Sequence, residues 1–335
     1  TAPSARAPRL ERATVTRLIW AEITRLLSRR LTGIAMIVIL LGVAGYQLVV
    51  NDALSPPSGE ERAAAESSYQ QAHRDWAAGR EQYEKECRDS GAPQDDCVIP
   101  EPTLAEFTGD STPFKEAAST ALKLSIVFVA LVTFTIAASF IGAEYSSGSI
   151  INWLTFVPRR SHVFWSKLLA VAWFAALLGT LVATLVVGAS LILARLHGSP
   201  VEAVPELAGI AVRGILPVVV LAVLGFCVGL LTRHTAGALG ILLAALVVCF
   251  VRIGALSSQT WAQRITPLTP EGNIAALIDR GYTYAVPVEK MTSDGVTVEL
   301  VERAVSLTHG LVYWSIILTL VIMGSLLIFR HRDVI

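Results

Sequence analysis

Charge is scarce in this 335-residue chain: 16% of residues are Asp, Glu, Lys or Arg, against 53% that are hydrophobic. Soluble globular domains carry about 25% charge and about 45–50% apolar residues. A soluble fold would therefore need a core larger than this length encloses. There is no Gly-x-x-x-x-Gly-Lys-Ser/Thr run, so the chain does not bind ATP in that way. His-Glu-x-x-His, Gly-x-Ser-x-Gly and paired intramembrane carboxylates are missing too. Four Cys occur, none as Cys-x-x-Cys or in a Cys/His cluster, so no metal framework is expected. Net charge is zero, 27 bases against 27 acids, and no basic excess points to nucleic acid. Catalysis by this chain alone is not expected, nor is a cofactor bound to it.

What is present is apolar length. A hydrocarbon layer of about 30 Å takes about 20 helical residues, and six stretches approach or exceed that, at 31–50, 121–143, 168–194, 214–231, 237–256 and 307–329. The first lies behind a basic segment of 30 residues and lacks a small-x-small cleavage site, so it is expected to be a retained span. Apart from Glu144, at the inner end of span two, the spans hold no Asp or Glu. Proton-coupled transport normally needs such an intramembrane relay.

The charges are sorted along the chain. Residues 1–30 hold seven Arg and two Glu, whereas 51–120 hold fifteen acids and six bases. Arg159, Arg160 and Lys167 lie between spans two and three, Arg233 between four and five, and Arg330 with Arg332 after span six. With alternating helices all of these fall on one face, which the positive-inside rule makes cytoplasmic. The expectation is an all-α polytopic membrane protein with six transmembrane helices and both termini cytoplasmic. Between spans one and two it carries an α-helical extracytoplasmic insertion.

Before span one, Val15, Leu18, Ile19, Ile23, Leu26 and Leu27 recur at helical steps among Arg17, Arg25, Arg29 and Arg30. That pattern predicts an amphipathic helix in the interface, within a cytoplasmic segment 1–30 that contacts membrane lipids. In the insertion 51–120, Ser58-Gly-Glu-Glu61 is a capping box opening a helix to about Arg88. Tyr69, Ala72, Trp76, Gly79 and Tyr83 form a narrow seam on it, for packing within the domain or for a ligand or partner. Cys87 and Cys97 flank a turn-rich loop, and an outer, oxidising compartment permits a disulfide there. Cys227 and Cys249 lie in apolar spans and read as small hydrophobes.

The second outer segment, 257–306, contains Trp261 to Arg280, interrupted by Pro267 and Pro270. Ile274, Ala275, Leu277 and Ile278 are too few to span, so a short interfacial or re-entrant helix is expected. Asp294-Gly295 between Val288 and Val296-Thr-Val298 reads as a small hairpin. Arg195, Arg213 and Arg252 fall near the outer ends of spans three, four and five. Either each reaches lipid phosphate or Glu202 or Glu206, or together they form a vestibule for anionic cargo. Gly225-x-x-x-Gly229 and Gly179-x-x-x-Ala183 allow close helix approach, within one bundle or across a dimer.

The most informative run is 142–167: Gly142-Ala-Glu144-Tyr-Ser-Ser-Gly148-Ser-Ile-Ile-Asn-Trp-Leu154-Thr-Phe-Val-Pro158-Arg159-Arg160, continuing to Lys167. Gly148 to Phe156 reads as a short amphipathic helix presenting Ile150, Ile151, Trp153 and Leu154, and Pro158 ends it. Arg159, Arg160 and Lys167 are expected to anchor span three at the headgroups. Glu144 either contacts a partner or a nearby Arg, or is a solvated headgroup carboxylate.

The run Glu144-Tyr145, Gly148-Ser149, Leu154, Pro158-Arg159-Arg160 and the later Lys167 resembles permeases of the type-2 exporter class of ABC transporters. The six-span plan, the amphipathic N-terminal helix and the outer helical segment before span six are also similar to that class. The outer domain at 51–120 departs from the small loop common there. The resemblance implies a transmembrane permease subunit that works with two separate ABC ATPase subunits and a second permease copy or homologous permease. ATP and Mg would sit on the ATPases, and Glu144, Tyr145, Gly148, Ser149, Trp153, Leu154, Pro158 and Arg159 would couple to them. It also implies the cytoplasmic (inner) membrane of a bacterium. The alternative is a non-transporting membrane anchor or sensor whose outer domain binds a ligand or partner.

Overall fold

A computed structural model of the protein describes residues 19–90, 97–108, 113–149, 160–257, 259–292 and 295–331. A short helix α1 (19–27) leads into α2 (Arg30–Leu54), then α3 (Gly59–Asp89) and the one-turn α4 (Leu104–Thr108). Three long helices follow: α5 (Phe114–Ser146), α6 (Arg160–Leu196) and α7 (Val204–Thr232). Next come α8 (Thr235–Ile253), the short α9 (Thr260–Arg264) and α10 (Pro270–Asp279). A hairpin of β1 (Gly281–Thr292) and β2 (Gly295–Ser306) precedes the last helix, α11 (Leu307–His331).

Six of these, α2, α5, α6, α7, α8 and α11, are long and apolar enough to cross a membrane. This is a multi-pass membrane protein. Spans two, three and four (α5, α6 and α7) begin earlier than hydropathy places them, because polar first turns continue the same hydrogen-bonded helix beyond the apolar window. At about 1.5 Å per residue, the 33 residues of α5 run about 50 Å, well past a hydrocarbon layer of about 30 Å.

The centre of the bundle is α5 packed on α7, with α2 and α6 alongside. Gly225 and Gly229 make the close approach possible. A Cβ on Gly229 would meet the carbonyl of Ala138 at 2.7 Å, and one on Gly225 would collide with the backbone of Phe134. Gly179 packs against Val218 of α7 in the same chain. These small residues therefore serve packing within the bundle, not a dimer seam, because neighbouring helices already occupy the space they leave. Around them Phe140, Phe164, Phe226 and Leu122 are fully buried. Pro217 lies inside α7 and is buried there, and Thr133 Oγ1 of α5 lies 3.3 Å from the carbonyl of Val218.

The insertion after α2 is helical among the described residues. Ser58 Oγ accepts from the Glu61 amide at 3.3 Å, and the Ser58 amide donates to Glu61 Oε2 at 2.7 Å, so the capping box is formed. None of the 31 residues of α3 is buried. Its return chain is tied by the Cys87–Cys97 disulfide. Trp76 Nε1 donates to the carbonyl of Ile99 at 3.1 Å, and the rings of Tyr69 and Phe107 are 6.1 Å apart. That half of the seam packs within the domain, while Tyr83 is exposed.

The protein is not wholly α-helical. The segment read as a small hairpin is a ribbon of twelve residues per strand, with Gly281 opposite Ser306 and Thr292 opposite Gly295. In that register Gly295 is paired with Thr292 and belongs to β2 rather than to the turn. Tyr284, Val286 and Val305 close on Ala276 of α10 at the base of the ribbon. Farther out, Met291 and Leu300 are exposed.

Candidate functional site

The motif-bearing end of the bundle is organised by one buried ion-pair cluster. In α1 the spacing places Glu22, Ile23 and Leu26 on one buried face, and Trp20 and Leu27 outside. Glu22 is thereby carried against the ends of α5 and α6. Lys167 Nζ of α6 is 2.9 Å from Glu22 Oε2 and 2.9 Å from Glu144 Oε2 of α5, and all three side chains are 1% exposed. Arg25 Nη1 lies 3.7 Å from Glu22 and 3.6 Å from Glu144, and Arg29 Nη2 is 3.6 Å from Glu144.

Three cations thus face two carboxylates. Desolvating such groups costs several kcal/mol per ion unless each is met by opposite charge and hydrogen bonds. The site sets opposite charge beside every member, and Lys167 donates to both carboxylates. Arg29 Nη1 also donates to the carbonyl of Ser139 at 3.1 Å, and the Phe140 ring receives Arg29 at 4.8 Å and Lys167 at 5.0 Å. Burial pulls the Arg29 guanidinium below its ordinary value, with the charge of Glu144 opposing the shift.

Glu144 is not a solvated headgroup carboxylate, because α1 covers it. Lys167 is not a headgroup anchor, for the same reason. Tyr145, next in the motif, receives the Arg233 guanidinium at 5.5 Å from the turn between α7 and α8. At that turn a Cβ on Gly142 would meet the Thr235 amide nitrogen at 2.7 Å, so only glycine admits the approach. Gly148 is left-handed, at φ 68°, and the Ser149 hydroxyl lies 3.2 Å from that of Ser147. Trp153, Leu154, Pro158 and Arg159, with most of the expected short helix 148–156, lie outside the described residues. Arg160 is described, and its Nη1 donates to the carbonyl of Phe329 at 3.4 Å, capping α11.

At the other end, Arg195, Arg213 and Arg252 do not form one vestibule. Arg195 is exposed at the end of α6. Arg213 Nε donates to the carbonyl of Ile278 at 2.8 Å, at the C-terminal end of α10. Arg252 pairs with Glu271 in the first turn of α10 and reaches the Ala262 carbonyl at 3.3 Å. Two of the three are braces on α10, because that helix leaves carbonyls and a carboxylate facing the spans. Glu206, expected as an arginine partner, pairs with Lys115 at 2.8 Å instead. Cys249 Sγ donates to Glu271 at 3.3 Å, whereas Cys227 is buried among apolar groups.

Sequence reasoning missed Glu22 altogether as a site residue. The available signal was an acid on the apolar face of an otherwise basic amphipathic helix. No family model, no curated protein and no solved structure matches this chain.

Proposed function

We propose that this protein is the transmembrane permease subunit of an ATP-driven exporter in the cytoplasmic membrane of a bacterium, similar to the type-2 exporter class. One observation carries the reading. The run that bears the class resemblance begins at Glu144 and ends at Lys167, and these two residues form a buried ion pair at 2.9 Å. The segment between them is closed at its base. Force applied to it enters α5 and α6 together, and Glu22 passes it to α1.

In this reading both termini and the 144–167 segment are cytoplasmic, and the α3 insertion and the ribbon are outside. Two ABC ATPase subunits dock on the segment and hold ATP and Mg, and a second permease copy or homologous permease completes the pathway. ATP binding closes the ATPases, and the closed loop converts that motion into a change of tilt between paired bundles. The helix α1 lies in the lipid interface, with Trp20 71% exposed on its outer side.

A second reading, a non-transporting anchor or sensor, is favoured by α3, a 31-residue helix in which no residue is buried. Co-purification separates the two. The exporter reading expects an ATPase subunit to accompany the protein, with ATP turnover that rises in its presence and falls in Gly148→Trp and Pro158→Ala variants. An intact complex that contains no ATPase sinks it, and full cargo-coupled turnover in both variants removes the coupling role of the segment.

A further inference from the structure

At the end of α5 opposite the Glu22–Lys167–Glu144 cluster, charges from three helices meet. Lys115 Nζ of α5 is 2.8 Å from Glu206 Oε2 of α7, and Lys123 Nζ of α5 is 2.9 Å from Asp279 Oδ1 of α10. Each carboxylate is thus taken by a lysine. Arg213 is left to donate its Nε to the Ile278 carbonyl at 2.8 Å, which sets it beside the end of α10, where Asp279 and Arg280 follow directly. Among the described residues neither Arg213 nor Arg280 makes an ion pair with a carboxylate. The junction holds four cations against two anions.

Two backbone details hold this excess in place. A Cβ on Gly209 would meet Arg213 Nη1 at 2.9 Å, so glycine one turn earlier lets the guanidinium fold back along α7. Arg280 ends α10 in the left-handed region, at φ 64° and ψ 9°. That position is ordinarily Gly or Asn. Gly281 follows immediately, yet the strained residue is the arginine. Strain of this kind collects where a side chain is needed at a set place.

We propose that the junction of α5, α7 and α10 binds a phosphate group, gripped by Arg213 and Arg280 and backed by Lys123. A guanidinium fork matches phosphate oxygens in pairs, which a lysine point charge does not. The group comes from a lipid headgroup or from a soluble phosphorylated molecule, since the chemistry is the same. The site depends on the multi-pass architecture and not on ATPase coupling, so the two readings fail separately.

The test is thermal unfolding of the full chain in neutral detergent during titration with phosphatidylglycerol, inorganic phosphate, or an uncharged glycolipid. Phosphatidylglycerol is expected to raise Tm where the glycolipid does not. A matching rise with inorganic phosphate identifies a soluble ligand, and its absence identifies a headgroup. The Arg213→Gln/Arg280→Gln variant should bind at least about tenfold more weakly. Should that variant fail to fold, Glu206→Gln/Asp279→Asn raises the net positive charge and should bind more tightly than the unaltered protein. No response to either phosphate source overturns the site, as does an unchanged affinity in the arginine variant or weaker binding in the carboxylate variant.

Discussion

Lys167 Nζ stands 2.9 Å from Glu22 Oε2 across 145 residues of sequence, and equally close to Glu144 Oε2. One ammonium thus serves two carboxylates from two different helices. The arrangement makes the cluster sensitive to loss of its middle member far more than to loss of the whole set.

Lys167→Met leaves two carboxylates buried together, and breaking a buried pair from one side costs about 3–5 kcal/mol. The triple variant Glu22→Gln/Lys167→Met/Glu144→Gln removes the charges of the trio but leaves the Arg25 and Arg29 guanidinia facing amides, so it should recover only part of that loss. Thermal unfolding in detergent should rank the unaltered protein first, the triple variant next and Lys167→Met last. A single variant as stable as the triple would contradict the burial of both acids.

Gly229→Leu drives a side chain into the Ala138 backbone, and overpacking of this kind costs about 1–3 kcal/mol. The α5–α7 contact lies inside one chain, so Tm should drop in protein held monomeric by dilution in detergent. A variant that keeps its monomer Tm and loses only self-association would restore the dimer-seam reading of Gly225-x-x-x-Gly229.

Cys87→Ser removes a short cross-link between α3 and its return chain, worth about 2–3 kcal/mol in the chain-entropy account. Its effect should be local. Amide exchange over 97–108 should speed up while α5, α6 and α7 keep their protection, because α3 packs on α4 rather than into the bundle. Loss of protection in the spans would show that the insertion supports the bundle.

Ser58→Ala removes the capping hydroxyl of α3, a loss of about 1 kcal/mol that should appear as fraying of the first turn. The Ser58 amide also holds the Glu61 carboxyl below its usual value. With the folded value depressed, the carboxylate's contribution is complete above the unfolded value of about 4.3 and disappears as pH falls through the lower folded one. Protection of the first amides of α3, taken relative to the intrinsic exchange rate at each pH, should therefore fall on acidification below the unfolded value in the unaltered protein. In Glu61→Gln that protection should not change with pH over the same range.

The six spans were legible because twenty apolar residues in a row have few other destinations, and the capping box because its four positions are contiguous. The disulfide was legible from two cysteines either side of a turn-rich loop. The ion-pair cluster was not, since nothing local distinguishes Lys167 from a headgroup lysine until α1 is laid over it. Arg252 was misread for a related reason. Its partner Glu271 follows two prolines in a segment whose path hydropathy does not describe. The ribbon was shortened because Tyr282, Tyr284 and Arg303 break simple apolar alternation, although Tyr284 is buried against α10.

The braces on α10 come from consecutive spans, Arg213 from α7 and Arg252 from α8, one at each end of a ten-residue helix. Any change of angle between those two spans must turn α10 like a rod held at both tips. The ribbon is rooted on that rod and, at about 3.3 Å per residue, reaches about 40 Å from it. It therefore behaves as a pointer on a dial: a rotation too small to disturb the packing of α10 becomes a displacement of several ångströms at the far end. A pair of spectroscopic labels there would register the tilt of α7 against α8 without touching either span.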